Sequence, residues 1–184
     1  MTMSAPSLLA DSAASSIILR TRAEGLLARF AHDLELAAPL LRGKVTLDGD
    51  AWTADISVAV ASLRVVGVVN GTEVDRVALS SSDRARIEQK MRQDVFSGGV
   101  REVTAMAHGT SRVGGEATVT LGTRSQRIPV TLSTEAPIEG KITATGRFTL
   151  SLEKLGVKPI KGPLGAFRVK DAVEVLFTIP FSGN

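Results

Sequence analysis

The chain contains two histidines, and one of them, His32, stands directly before an aspartate, Asp33. An imidazole beside a carboxylate is the usual equipment of general acid–base catalysis. Residues 32–36 read as the start of a strand, however, with His32, Leu34 and Leu36 on one face and Asp33 and Glu35 on the other. Adjacent strand residues point to opposite faces, so Asp33 does not orient the His32 ring. Catalysis at His32 would need another carboxylate brought in by folding; a strand-end histidine bonded to backbone is the plainer reading. His108, before Gly109, reads as solvated at a strand end. There is no cysteine, which excludes disulfides, a thiol nucleophile and thiolate zinc sites, and two histidines do not build a His-rich metal site. No serine lies in a Gly-x-Ser-x-Gly elbow. Gly114-Gly115 is not followed by the Gly-Lys-Ser/Thr of a phosphate loop and reads as a hairpin turn. No catalytic residue, no metal site and no covalent cofactor is assigned. Arg64, Arg84, Arg86 and Arg92 could meet an anionic headgroup or membrane surface, against the simpler reading of a solvated charged face.

A length of 184 residues argues for one domain. With 43% hydrophobic and 22% charged residues the composition is that of a globular protein, too apolar for a disordered one. The 22 Lys+Arg and 19 Asp+Glu leave +3, scattered without a basic block, and aromatics are only 4%. A nucleic-acid partner is therefore not expected. No apolar run approaches the ~18 residues of a membrane-spanning helix. Residues 1–16 carry no Lys or Arg before the short Leu8-Leu9-Ala10, unlike a secretion signal. They read as a flexible tail ahead of a single domain at 17–184, with the cytoplasm as the default location.

From residue 17 the dominant period is two. Ile56, Val58 and Val60 alternate with polar or small residues, as do Ala117, Val119 and Leu121, and Ile128, Val130 and Leu132. The longest runs are Ile142, Ala144, Phe148, Leu150 and Leu152, and near the end Val173, Val175, Phe177, Ile179 and Phe181. Each is a strand with one apolar face. The links between them are short, with Asn70-Gly71, Gly122 to Gln126 and Glu139-Gly140 as turns, so successive strands run antiparallel. Seven or eight such strands suggest an up-and-down barrel or a sandwich. Two segments break the pattern. Ile87, Met91 and Val95 recur at helical spacing behind Ser82 or Asp83 as cap, with Arg84, Arg86, Glu88, Lys90 and Arg92 off the stripe, which predicts an amphipathic helix over 82–95. Leu26, Leu27 and Phe30 fit a short helix near 23–31. Residues 155–170, with three glycines and two prolines, read as a long loop, one use of which is a lid over a barrel mouth.

Four stretches in this order resemble the YceI-like family of lipocalin-like antiparallel barrels that bind polyisoprenoid or similar lipids. They are Phe30-Ala31-His32-Asp33-Leu34 with Leu41-Arg42-Gly43-Lys44-Val45; Val58 to Val65; Asp83-Arg84 through Val95 with Val100 to Val103; and Gly146-Arg147-Phe148 through Val157 with Val169 to Val173. The resemblance spans roughly residues 17–181, and departs from the family where Arg101-Glu102-Val103-Thr104-Ala105 replaces its proline- and phenylalanine-containing strand. It implies an all-β, lipocalin-like barrel of about eight strands and an apolar ligand such as an isoprenoid, quinone or fatty lipid.

A closed barrel of this size holds either packed side chains or one apolar ligand. The inward parity names the lining as Phe30, His32, Leu34, Ile56, Val58, Ala105, Val119, Val130, Ala144, Phe148, Val175 and Phe177. Ala61, Ala105, Ala107, Ala117 and Ala144 would leave space. The parity alone does not choose between core and cavity; the resemblance favours a non-enzymatic carrier of a long apolar ligand. The alternatives are a filled barrel whose helix or outer face docks a protein partner, and a small barrel enzyme using His32. A homodimer is one possible assembly of either.

Overall fold

The computed structural model describes residues 6–25, 31–96, 98–134, 140–162 and 167–183. Its strands are β1 (Ser7–Ala10), β2 (Ser16–Thr21), β3 (Ala23–Glu24), β4 (Leu34–Ala37), β5 (Leu40–Asp48), β6 (Ala51–Ala59) and β7 (Arg64–Asn70). They continue as β8 (Glu73–Asp75), β9 (Glu102–Ser111), β10 (Gly114–Leu121), β11 (Arg124–Thr134), β12 (Lys141–Ser151), β13 (Arg168–Val169) and β14 (Ala172–Ser182), with one α-helix, α1 (Ser81–Asp94). Strands β1, β5, β6, β9, β10, β11, β12 and β14 pair antiparallel in that order, and β1 returns to β14, closing an eight-stranded barrel. The tight hairpins are where glycine was expected: Gly71 and Gly122 take φ of +64° and +59°, a region side chains disfavour.

Three neighbouring strands bend at one level. β1 and β2 lie end to end along β14, at Phe181–Ser182 and at Glu174–Thr178 respectively. β4 and β5 form the next bent strand, broken at Ala38-Pro39, and β6 and β7 the third, broken by the 3-10 turn Val60–Ser62. Each break has a local cause. The Asp11 carboxylate accepts the N–H groups of Ala13 and Ala14 at 3.0 and 3.1 Å, folding the chain between β1 and β2. Pro39 has no N–H to give a ladder. Beyond the bend the sheet continues β14-β2-β4-β7-β8, while β9 stays with β10. The last backbone contact between the two sides is the Val60 N–H on the Arg101 carbonyl, 2.9 Å. The barrel therefore flares at this end, and α1 covers the gap.

α1 is one residue earlier than the sequence pattern suggests. Its cap is Ser80, whose Oγ accepts the Asp83 N–H at 3.1 Å. Its inner face is also broader than the apolar stripe. Arg84 donates to the Val65, Val66 and Arg76 carbonyls, and Glu88 accepts the Val65 N–H at 2.9 Å, so two residues expected in solvent fasten the helix to β7. Ile87 and Met91 pack between them on Leu36, Val65, Val68 and Leu79.

Other expectations are corrected. The segment read as a flexible tail supplies β1, because Leu8 can be buried (5% exposed) between the free edges of β5 and β14. Within 23–31, Ala23–Glu24 is a strand paired with β13, not a helix, and 26–30 lies outside the described residues. The long loop is partly ordered as a strap. Lys161 bridges Arg168, β13 pairs with β3, and Leu155 and Val157 are buried in the main core. Gly114-Gly115 lies in β10 without positive φ, and the turn is at Arg112-Val113. Ala61 is exposed in the 3-10 turn. His108 is exposed, but within β9 and not at its end.

Asp171 holds the strap's return to β14. Its carboxyl lies below the ordinary carboxylate range because the Glu153 N–H donates to it at 2.7 Å, with Ser151 and Leu152 assisting. The folded pKa is thus below the unfolded value of about 3.9, so this stabilisation is present above roughly pH 4 and is lost as the pH falls through the folded pKa. The melting-temperature gap between the wild type and Asp171→Asn is expected to narrow steadily in thermal melts taken below about pH 4. A second test concerns packing. A Cβ at Gly146 would stand 2.6 Å from the Phe177 ring of the opposed strand. Gly146→Val is expected to cost about 1–3 kcal/mol in urea denaturation.

Candidate functional site

The inner faces of the barrel enclose a cavity of about 560 Å³ lined almost wholly by carbon. That is within the range of roughly 300–1,000 Å³ typical of small-molecule sites. Parity sets the lining. On β6 the inward residues are Ile56 and Val58, with Ala54 and Trp52 nearer the far end. Ala105 lines the cavity from β9, Val119 from β10 and Val130 from β11. β12 contributes Ala144 and Phe148, and β14 Val175 and Phe177. The Phe148 and Phe177 rings are 6.1 Å apart and tilted by 47°, a favourable aromatic arrangement. Leu34 lines the helix end from β4. The sequence reading also named Phe30, which lies outside the described residues. Of the small residues expected to leave room, Ala105, Ala107 and Ala144 do so, while Ala117 is packed in the core at 3% exposure.

His32 is at the helix-end mouth, exposed and just before β4 begins. Asp33 is committed elsewhere. Its Oδ1 accepts the Ala23 N–H at 2.8 Å and its carbonyl accepts the Val69 N–H at 2.8 Å. Asp33 therefore ties β3 and β7 together ahead of β4, and does not form an acid–base couple with His32. The buried carboxylate Glu35, on the outer parity of β4, is paired with Arg20 at 3.0 Å. Among the described residues no group of three or more His, Cys, Asp or Glu gathers as a metal site.

The two ends of the cavity differ. At the end away from α1 the indole of Trp52 lies across the backbone of Gly109 and Gly115. A Cβ on either glycine would come within 2.6 Å of the indole. Trp52 Nε1 donates to the Ser111 carbonyl at 2.9 Å, and Asp50 pairs with Arg112 at 3.0 Å beside it. These groups line that end. Trp52 escaped the sequence reading, although it is the only tryptophan and the alternation 52, 54, 56, 58 carries it inward. The signal was available; the glycines that receive the ring become its neighbours only in the paired register, where Trp52 faces Gly109.

At the other end the mouth is framed by α1 through Ile87, Lys90 and Met91, by Val95 and Phe96 after it, and by the strap through Ile160, Lys161, Phe167 and Val169. Arg22 and Ala23 complete it. The arginines singled out from sequence are elsewhere. Arg84 is under the helix, Arg64 donates to the carbonyls of Ala61 and Leu63, and Arg86 pairs with Asp83. Arg92 is exposed and outside the cavity lining.

Barrel and cavity together define a hollow, closed antiparallel β-barrel with α1 and the strap at one mouth. No protein-family profile and no curated protein matches the sequence. Solved structures with the same fold are found. BcnA from Burkholderia cenocepacia aligns at a TM-score of 0.64 and 14% identity, over 93% of this chain and 98% of its own. A polyisoprenoid binding domain from Saccharophagus degradans, implicated in plant cell wall breakdown, aligns at 0.64 and 13% identity, over 98% and 99%. At these identities the likeness establishes the fold. It is the lipocalin-like barrel that the sequence resemblance implied. Among the described residues no helix is long and apolar enough to cross a membrane.

The single tryptophan makes the Trp52 end of the cavity measurable. Gly109→Val is expected to displace the indole and shift Trp52 emission to longer wavelength, while a valine at exposed Thr110 leaves the spectrum unchanged. Identical emission from all three proteins would show that the indole does not rest on Gly109.

Proposed function

We propose that this chain is a non-enzymatic carrier that holds one long apolar ligand, an isoprenoid, quinone or other lipid, inside the barrel. The observation that carries the reading is an interior that is apolar and unfilled. A protein gains nothing in stability from an empty cavity, since the lining forfeits its van der Waals partners. A hydrocarbon chain restores them, each buried methylene contributing about 0.8 kcal/mol before the cost of ordering the ligand. The mouth beside α1 and the strap is at one end of the cavity, and Trp52 is at the other. The Saccharophagus degradans domain, named as polyisoprenoid binding, supports the same use of the same fold.

Native mass spectrometry of the purified protein tests this directly. The expected result is a bound species of some hundreds of daltons, removed by organic extraction and restored by added isoprenoid or quinone. Ala144→Phe fills the cavity from β12 and is expected to abolish that mass while the barrel still melts cooperatively. Ala105→Leu does the same from β9, should the first variant fold poorly. An unliganded mass from several expression hosts, with no uptake of added lipid, would overturn the carrier reading in favour of a protein-docking module.

A further inference from the structure

The cavity lining is apolar along its length, but its charged members are not evenly distributed. Among the described residues they are Arg22, Lys90 and Lys161 at the helix-end mouth, and Asp50 with Arg112 at the Trp52 end. The Asp50–Arg112 pair neutralises itself at 3.0 Å. The mouth has three cations and no carboxylate in its lining. The acids nearby are already engaged. Glu24 pairs with Arg168 at 2.6 Å, Asp33 accepts the Ala23 N–H, Glu88 accepts the Val65 N–H, and Asp171 accepts the Glu153 N–H. Asp94 pairs with Lys90 at 2.6 Å from outside the lining, with the lysine still 54% exposed. Arg22 and Lys161 have no acidic partner among the described residues. The adjoining segments 26–30 and 163–166, Leu-Leu-Ala-Arg-Phe and Pro-Leu-Gly-Ala, contain no carboxylate.

The two unpaired cations are held together by backbone. The Arg22 carbonyl accepts the Lys170 N–H at 2.7 Å, and Lys161 bridges Arg168, whose strand β13 pairs with β3 immediately after Arg22. Arg22 precedes β3 and Lys161 is on the strap that pairs with it, and Lys90 stands on α1 at the same mouth. An aliphatic tube with Arg22, Lys161 and Lys90 at its mouth is complementary to a chain with a negative head.

We propose that the mouth is a head-group site, and that the ligand is an amphiphile with an anionic head, a carboxylate or a phosphate, bound by Arg22 and Lys161 with Lys90 flanking. The chain runs inward past Phe148 and Phe177 towards Trp52. The arginine offers a fork of donors to either anion and the lysines act as point charges. This proposal rests on the carrier reading and selects one ligand class within it.

The test uses two matched pairs, palmitic acid against hexadecanol and geranylgeranyl monophosphate against geranylgeraniol, titrated on the whole chain by Trp52 fluorescence below their aggregation limits. The acidic member of at least one pair is expected to bind roughly tenfold or more tighter than its alcohol. The pair with the larger ratio identifies carboxylate or phosphate as the preferred head. Arg22→Glu/Lys161→Glu is expected to erase the ratio, the acids losing at least tenfold more affinity than the alcohols. Lys44→Glu/Lys141→Glu alters net charge equally, on an outer face and at the far end, and is expected to preserve it. Equal binding of acids and alcohols by the wild type would overturn the head-group site while leaving the cavity occupied. A preference that survives in the Arg22/Lys161 variant, or disappears equally in the control, would also overturn it. Failure of all four compounds to bind would instead defeat the carrier reading, and this site with it.

Discussion

Everything about this barrel's interior follows from how β14 divides its edge. One strand cannot give the same backbone groups to two partners, so β1 takes Phe181–Ser182 and β2 takes Glu174–Thr178. The neighbours must then bend at the same level, or their ladders would lose register. That constraint propagates through Ala38-Pro39 and the Val60–Ser62 turn until it reaches β9, which does not follow. The ring closes on the side of the bend where β1 sits and opens on the other. α1, the strap and the mouth are consequences of that divergence.

The interior is built by contrast of size. Phe177 lies over Gly146 and Trp52 over Gly109, each aromatic facing a glycine across a strand pair. These large-against-small contacts pin the register and fill the walls. Alanines at 105, 107 and 144 leave the axis open between them. A core selected for stability alone would place leucine or isoleucine at such positions. Firm walls and a small-residue axis together enclose the cavity.

Polar groups near the mouth serve the frame before they serve any ligand. Arg84 and Glu88 satisfy backbone groups of β7 and dock the helix with little apolar area, since α1 has no fully buried residue. Asp33 similarly ties β3 to the sheet, and Asp171 joins the two ends of the strap through the Glu153 N–H. Each of these four looks, in a sequence, like a solvated charge or half of a catalytic pair. The information that distinguishes them is which unsatisfied carbonyl or N–H they meet, and that exists only after the chain has folded.

The one-dimensional pattern determined the strands, their inward faces, the hairpins at Gly71 and Gly122, and the helix, because alternation and turn chemistry are local properties of neighbouring residues. Eleven of the twelve residues named as lining therefore face the cavity, with Phe30 outside the described residues. What the pattern did not determine depends on residues distant in sequence. Leu8 became part of the ring because two free edges waited for it. Gly115 served the approach of Trp52, not a turn. Arg22, Lys90 and Lys161 came to one mouth because β3 pairs with β13 and α1 crosses the flare. Whether the inward face is a packed core or a cavity was likewise decided in three dimensions, by the volume that closure of the ring encloses against the volume its side chains fill.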